Sequence, residues 1–513
     1  LSIPGRTACA VLALCAIGLA GWAQGQVWYE DVTVAAGLDA PLDSDKPAGG
    51  IGVGDFNRDG WPDLFLAGFF EPNHVYYNNG DGTFFEVPDV AAQIALPDHS
   101  CTAVAVADYD NDGWSDVYLA CNGDNLLLRN TGTGFDVQTR SDVNHPTRSE
   151  GAVWADLDGN GLLDLVVAAH PPGSPADPDN PDNYDRICMA DGSGGFVDIF
   201  ADLAVNLPPS NTLGLIASDI DLDGRMDLYF ANDRHDGNVL LLNRGDGCPG
   251  WCFDDVSVAT GADREAYSMS IDVADYDRDG DWDFYYSSIG EQILLRNRTD
   301  GPGIPDFVEA QDEAGVNNPY MAWGTLFVDA DNDGRDDAVL ALSAPTGNNQ
   351  DRLYLQTGPG TFTDQQFDSG FHLPLATETI ARVDVDRDGR MDLVFGHSIL
   401  EYRLYRNVAE TGNHWIGFEL DGSGSINNDA VGTRIELVTP DGERQMRERR
   451  AGGSRNATHD YALHFGLGDQ TEATATVYWP DGTVQVFDGL DVDRYHALGF
   501  PMVFTSDFET PSP

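Results

Sequence analysis

A single lysine, Lys46, is all that this 513-residue chain contains. That removes lysine Schiff-base chemistry and the phosphate-loop lysine from consideration. Basic residues are scarce altogether, 28 against 85 acids, for a formal net charge of −57. A surface of that sign repels nucleic-acid phosphates and anionic membranes. Cysteine is sparse as well, 7 in all, with no CxxC spacing, so a thiolate zinc site has little support. Neither HExxH nor GxSxG occurs. The apolar stretch from Ala8 to Ala20 is too short and too near the start for a membrane span. Between Arg6 and Ala23-Gln24-Gly25 it reads as a signal peptide over residues 1–25, cut before Gln26. Cys15 follows Leu14 rather than a small residue, which argues against a lipoprotein signal. The expectation is a secreted, extracellular protein, or a periplasmic or cell-surface one in a bacterium.

Glycine is plentiful, 57 residues, and the acids alternate with Val, Leu, Trp and Tyr runs, as in a turn-rich all-β protein. Seven nine-residue segments share the form D-x-D-x-D-G-x-x-D. They carry Asp55, Asn57, Asp59 and Asp63; Asp108, Asp110, Asp112 and Asp116; Asp156, Asp158, Asn160 and Asp164; and Asp219, Asp221, Asp223 and Asp227. The last three carry Asp275, Asp277, Asp279 and Asp283; Asp329, Asp331, Asp333 and Asp337; and Asp384, Asp386, Asp388 and Asp392. Their starts lie 48 to 63 residues apart, a propeller-blade period. An apolar run precedes each loop, and a second follows it. A third strand then reads VYYNN from Val75, LLLRN from Leu126, VLLLN from Val239, ILLRN from Ile293 or LYRN from Leu404. A fourth follows a turn, as in GDGTFFEV from Gly80. Four strands per period make a blade. The seventh period lacks its fourth strand, and VWYEDVTVAAGL from Val27 to Leu38 has the matching text. The chain is therefore expected to be a seven-bladed β-propeller over residues 26–410, with its N-terminal strand completing the last blade and removing exposed sheet edges.

Oxygens at positions one, three, five and nine of each loop converge, glycine at six permits the turn, and the carbonyl at seven adds a further ligand. All-oxygen, carboxylate-rich ligation suits Ca²⁺, up to seven ions in all, in a structural role. Position twelve is apolar (Leu66, Leu119, Phe230), so the EF-hand glutamate is missing. An amide replaces a carboxylate at Asn57 and Asn160, which predicts weaker sites there.

These blades resemble FG-GAP/VCBS repeats, the calcium-binding blades shared with integrin α-subunit propellers. The NNGDGTF, AAGL and EAGV texts are similar to the cartilage acidic protein family. NHWIGFEL from Asn413, DAVGTRIELV from Asp429, HFGLGD from His464 and VYWPDGTVQVF from Val477 resemble the ASPIC/UnbV domain that follows the propeller there. Over residues 411–500, alternating apolar positions and PDG turns at Pro440 and Pro480 predict a small antiparallel β-sandwich or barrel. Arg444, Arg447, Arg449, Arg450 and Arg455 form the one basic cluster, either a solvated strand face or a surface docked on the acidic propeller. Residues 501–513 read as a loose tail.

Cys101 and Cys121 flank one loop as opposed hairpin residues, and Cys248 and Cys252 bracket a tight turn. Two disulfides with Cys188 left free fit an oxidising compartment. Connections on the face opposite the calcium loops carry His99, Arg148, Glu150, His170, Asp233, Arg234, His235, Tyr267, Tyr320, Trp323, Glu378 and His397, beside the insertion from Pro171 to Asp185. Aromatic residues beside Arg and carboxylates suit a protein or carbohydrate ligand. The favoured reading is a monomeric binding or adhesion module. The alternative is a carbohydrate-active lyase or dehydratase using His170, His235 or Tyr267 at the channel mouth.

Overall fold

The computed structural model describes residues 28–501 except 39–47, 70, 139, 146–147, 173–178, 204, 206, 208, 210, 235–236, 246–251, 300, 344–349, 372, 374 and 399–401. Short β-rich runs separated by Gly- and Asp-rich turns cannot bury their apolar faces alone, so they stack. Six consecutive antiparallel units are built this way, beginning at Ala48–Gly54, Cys101–Ala107, Ser149–Ala155, Thr212–Ser218, Ser270–Ala274 and Ala322–Val328. A seventh starts at Thr377–Val383 and takes its fourth strand from Tyr29–Asp31, which pairs antiparallel with Tyr402–Asn407. We number these blades 1 to 7. The innermost strand of each blade touches the next, and that of blade 7 touches that of blade 1, so the sheets form a closed ring.

The core follows from that closure. Seven apolar clusters lie between neighbouring blades, each filled by the facing sides of two sheets. Between blades 7 and 1, for instance, Ala381, Val383, Val394 and Leu404 pack against Ile51, Val53 and Leu64. The recurring asparagine at the end of the third strand ties these interfaces. Asn243 Nδ2 donates to Leu157 O of the preceding blade at 2.8 Å and to Met226 O of its own at 3.1 Å. Asn78, Asn130 and Asn407 make the same inter-blade bond, and Gln356 substitutes for it in blade 6. Asn243→Ala strands two buried carbonyls, so a loss of about 2–3 kcal/mol is expected from the urea midpoint. A loss below about 0.5 kcal/mol would show that the clasp is dispensable.

Past blade 7 two small sheets enclose a separate core that includes Ile416, Phe418, Ile435, Leu437, Phe465, Val477 and Trp479. One orders Arg444–Glu448, Arg434–Val438, Thr474–Tyr478 and Val484–Phe487; the other orders Leu463–Gly468, His414–Asp421 and Tyr495–Gly499. The expected sandwich is thus present, but not fully antiparallel: His414–Asp421 runs parallel to Tyr495–Gly499. The closing strand returns from the far sheet, and its direction cannot be read from alternation. Residues 1–25 and all of the tail beyond Pro501 lie outside the described residues.

Candidate functional site

Each Asp-rich loop joins the first and second strands of its blade, so all seven share one face of the ring. The turn is built by the acids themselves. In blade 4 the Asp219 carboxylate accepts from Asp223 N at 2.9 Å and Gly224 N at 3.0 Å, while Asp223 accepts from Arg225 N. Asp227 at position nine accepts from Ile220 N and Asn243 N, which staples the loop to the third strand. Glycine at six lies in the left-handed region in all seven loops, from Gly389 at 82° to Gly280 at 94°. Position four does too: Arg58, Asn111, Leu222, Arg278, Asn332 and Arg387 have φ of 54–62°. Only Gly159, Asn111 and Asn332 are residue types that favour this region, and sequence reasoning missed it because Arg and Leu at the other four do not advertise it.

The loops crowd carboxylates. Ligand atoms of Asp108, Asp110 and Asp116, of Asp156, Asp158 and Asp164, and of Asp219, Asp221 and Asp227 lie within 4.8 Å of one another. So do those of Asp275, Asp277 and Asp279, and of Asp329, Asp331 and Asp333. Burial, reinforced by neighbouring carboxylates, pushes Asp63 up to about 8, Asp116 to about 9, Asp275 to about 8 and Asp329 to about 7. Buried oxygens of Asp116, Asp221, Asp275, Asp277, Asp329 and Asp386 have no hydrogen-bond partner. Orphaned, mutually repelling buried carboxylate oxygens are what a hard cation would satisfy, so the residues fit one. Asn57 and Asn160 turn their amide nitrogens toward Asp59 and Asp158.

The C-terminal sheets sit on this loop face and send a segment into the ring. Glu448 takes Ser218 Oγ and Asp219 N; Ala451 O accepts from Trp154 N at 2.9 Å. Ser454 Oγ donates to Thr325 O, and Ala457–Thr458 pairs parallel with Ile51 and Gly52. Thr458 Oγ1 bonds Val104 O and Val106 N, Thr379 Oγ1 donates to Arg455 O, and Arg450 reaches Val273 O. Residues 448–458 thereby contact the innermost strand of every blade. Gly50 explains the glycine-rich first strand of blade 1, since a Cβ there would stand 2.4 Å from Asn456 O. Of the basic cluster, Arg449 and Arg455 are buried, Arg450 is half-buried 3.7 Å from Asp272, and Arg447 pairs with Asp336 at 2.7 Å, whereas Arg444 stays exposed beside Glu436. The docked alternative describes four of the five. Asp272, fully buried, is held below the usual carboxylate range despite desolvation because Arg382 and Arg450 face it.

On the opposite face, five groups converge. Glu150 accepts from Arg148 and lies 3.5 Å from Arg455, whose guanidinium stacks 4.2 Å over Trp323. Burial raises the Glu378 carboxyl, and Arg455 pulls it back. Glu150, Trp323 and Glu378 sit where the first strands of blades 3, 6 and 7 shift register, which turns them into the channel. Arg455 was legible only as part of the basic cluster. His170 instead pairs with Asp233 at 3.2 Å, with Arg234 alongside. His397 is buried against Thr377 and pushed down to about 4 by burial. His99 and Tyr267 are half-buried and Tyr320 exposed; His235 and residues 173–178 lie outside the described residues. Cys101 and Cys121 are bonded across the hairpin, and Cys188 is free and buried. Cys252 is disulfide-bonded, while Cys248, its expected partner, lies outside the described residues.

Closed ring, repeated acidic loops and a C-terminal β module define a class. The FG-GAP-like repeat family matches residues 55–119, 108–167, 219–286 and 329–395, and the ASPIC and UnbV family matches 423–501. The chain is an FG-GAP-repeat β-propeller with a C-terminal ASPIC/UnbV domain. It is similar to cartilage acidic protein 1 of Xenopus tropicalis, 23% identical over 467 residues that cover 85% of this chain and 70% of that one. The Homo sapiens protein of that name is 23% identical over 469 residues, covering 84% and 69%. Among solved structures, an Agrocybe aegerita lectin that recognises non-reducing terminal N-acetylglucosamine aligns at 18% identity and a TM-score of 0.41, over 64% of this chain and 83% of that one. No helix among the described residues is long and apolar enough to cross a membrane.

Proposed function

We propose that this is a secreted, calcium-loaded β-propeller acting as a binding or adhesion module, with its ligand on the face opposite the calcium loops. The observation that carries this reading is the placement of the ASPIC/UnbV domain: it covers the loop face and fills the channel, which leaves the opposite mouth as the open end of the ring. The ions would be held by positions one, three, five and nine of each loop, with the carbonyl of position seven. Bound Ca²⁺ supplies positive charge that cancels the crowded carboxylates and makes each loop a rigid staple. The cross-strand disulfide and the leader-like N-terminus support an oxidising, extracellular destination.

Arg148, Trp323 and Glu378 are the ligand-facing group, backed by the buried pair Glu150 and Arg455. A guanidinium and a carboxylate beside an indole, over a buried ion pair, offer donors and acceptors with no net formal charge, which suits a polar ligand such as a saccharide or a protein loop. On a panel of neutral glycans and polyuronates, the protein is expected to capture ligand without product, and Glu378→Gln to weaken capture about tenfold at unchanged melting temperature. Release of unsaturated sugar absorbing in the ultraviolet would make it a lyase. Capture that ignores the Glu378 substitution would place the site elsewhere.

A further inference from the structure

Three carboxylates of the C-terminal domain grip the calcium loops at the same atom. Asp108 N donates to Asp429 Oδ2 at 2.6 Å, Asp219 N to Glu448 Oε1 at 3.0 Å, and Asp384 N to Asp460 Oδ2 at 3.3 Å. Each of these residues opens its loop, so each offers its backbone N–H to the docked domain and its side chain to the metal. Two side-chain contacts add to the grip: Asn428 Nδ2 donates to Asp108 at 3.0 Å and Tyr495 OH to Asp384 at 2.7 Å.

Charge gives the contact a sign. Docking places a further carboxylate against loops that already carry four, and the arginines Arg449, Arg450 and Arg387 face Asp429, Glu448 and Asp460 respectively. The loops' own arginines pair with their outer carboxylates, Arg129 at blade 2, Arg225 and Arg244 at blade 4, and Arg390 and Arg406 at blade 7. With the metal absent, acids still outnumber arginines at each of these blades, and the docked domain meets net repulsion there. With two positive charges in each loop, the same carboxylates become favourable neighbours. The ion pairs of Arg447 with Asp336 and of Arg450 with Asp272 do not involve the loops' ligand positions, so they hold the domain at a baseline in either state.

We propose that calcium binding and docking of the ASPIC/UnbV domain are thermodynamically linked, so that calcium withdrawal loosens the segment 448–460 and opens the channel of the ring. The inference rests on the calcium reading above. Linkage is reciprocal, so whatever undocks the segment must also weaken calcium.

Hydrogen exchange on the full-length protein tests the first arm. In EGTA, amides of 448–460 are expected to exchange about tenfold faster than in millimolar calcium, while the outer strand pairs of the blades change less. Titration calorimetry with calcium alone tests the second. Gly452 has φ of 115°, and a Cβ there would stand 2.8 Å from Val153 Cγ1, so Gly452→Ala strains the segment without touching a ligand position. It should weaken the tightest calcium sites about threefold or more. Faster exchange of the loops with 448–460 unchanged, or full calcium affinity in Gly452→Ala, overturns the linkage and leaves the calcium reading intact. An absence of calcium binding by the wild-type protein overturns both.

Discussion

Chelating calcium is expected to lower the melting temperature by on the order of 10 to 20 °C. The size follows from adding small terms. At a dissociation constant of ~10⁻⁴ M, ~1 mM Ca²⁺ stabilises each loop by about 1.4 kcal/mol, and seven loops together by roughly 10 kcal/mol. That is the scale of a whole domain's stability. The acids also fix how the loss varies with pH. In the metal-free fold Asp156 is raised to about 6, Asp219 and Asp384 to about 7, Asp275 to about 8 and Asp116 to about 9, each mainly by burial. A carboxyl whose folded pKa exceeds its unfolded value keeps its stability below the unfolded value and loses it as pH climbs through the folded one. Metal-free protein should therefore lose stability from about pH 4 to pH 9, whereas calcium, which needs ionised ligands, gains hold over the same range. The melting-temperature gap between calcium and EGTA should widen from pH 5.5 to pH 8. A gap of less than about 2 °C at pH 8 would remove calcium from the structural account.

Asp272→Asn is expected to cost roughly 3–5 kcal/mol, the largest effect of any single side chain considered. Its carboxylate, itself fully buried, accepts from Phe327 N at 2.8 Å and Arg382 Nη1 at 3.0 Å and lies 3.7 Å from Arg450 Nη2. An amide removes the carboxylate that the half-buried Arg382 and Arg450 share, leaving Arg450 only Glu448 as a counter-charge, and His459, pushed down to about 3 by burial and those arginines, is no substitute. The wild-type dependence on pH is the reverse of the loops'. Asp272 is depressed, so its stabilisation is present above the unfolded pKa and is lost as pH falls through the folded one. The urea midpoint of Asp272→Asn, taken in saturating calcium, isolates this term. A shift equivalent to less than about 1 kcal/mol would mean that the arginines reach solvent and that the segment 448–460 is not seated as described.

How much was legible depended on the range of the interaction. The loops were legible to the residue, because a nine-residue turn is specified by its own acids and its glycine. Ring closure was legible because Val27–Leu38 repeats the text of a fourth strand. The arginine cluster was visible but its destination was not: Arg449 and Arg450 look the same in sequence whether they meet water or Asp429 and Asp272. The channel mouth was named as a region, yet only three register shifts and one residue from another domain, Arg455, bring Glu150, Trp323 and Glu378 together.

The sequence alone determined the acidic loops, their period and the four-strand blade, since local hydrogen bonding and alternation are short-range and survive without knowledge of the rest of the chain. The tertiary structure alone decided that the ASPIC/UnbV domain covers the loop face and threads the channel. That placement is set by ion pairs and hydrogen bonds between residues far apart in the chain, 354 positions in the case of Thr458 to Val104, and no local pattern encodes them.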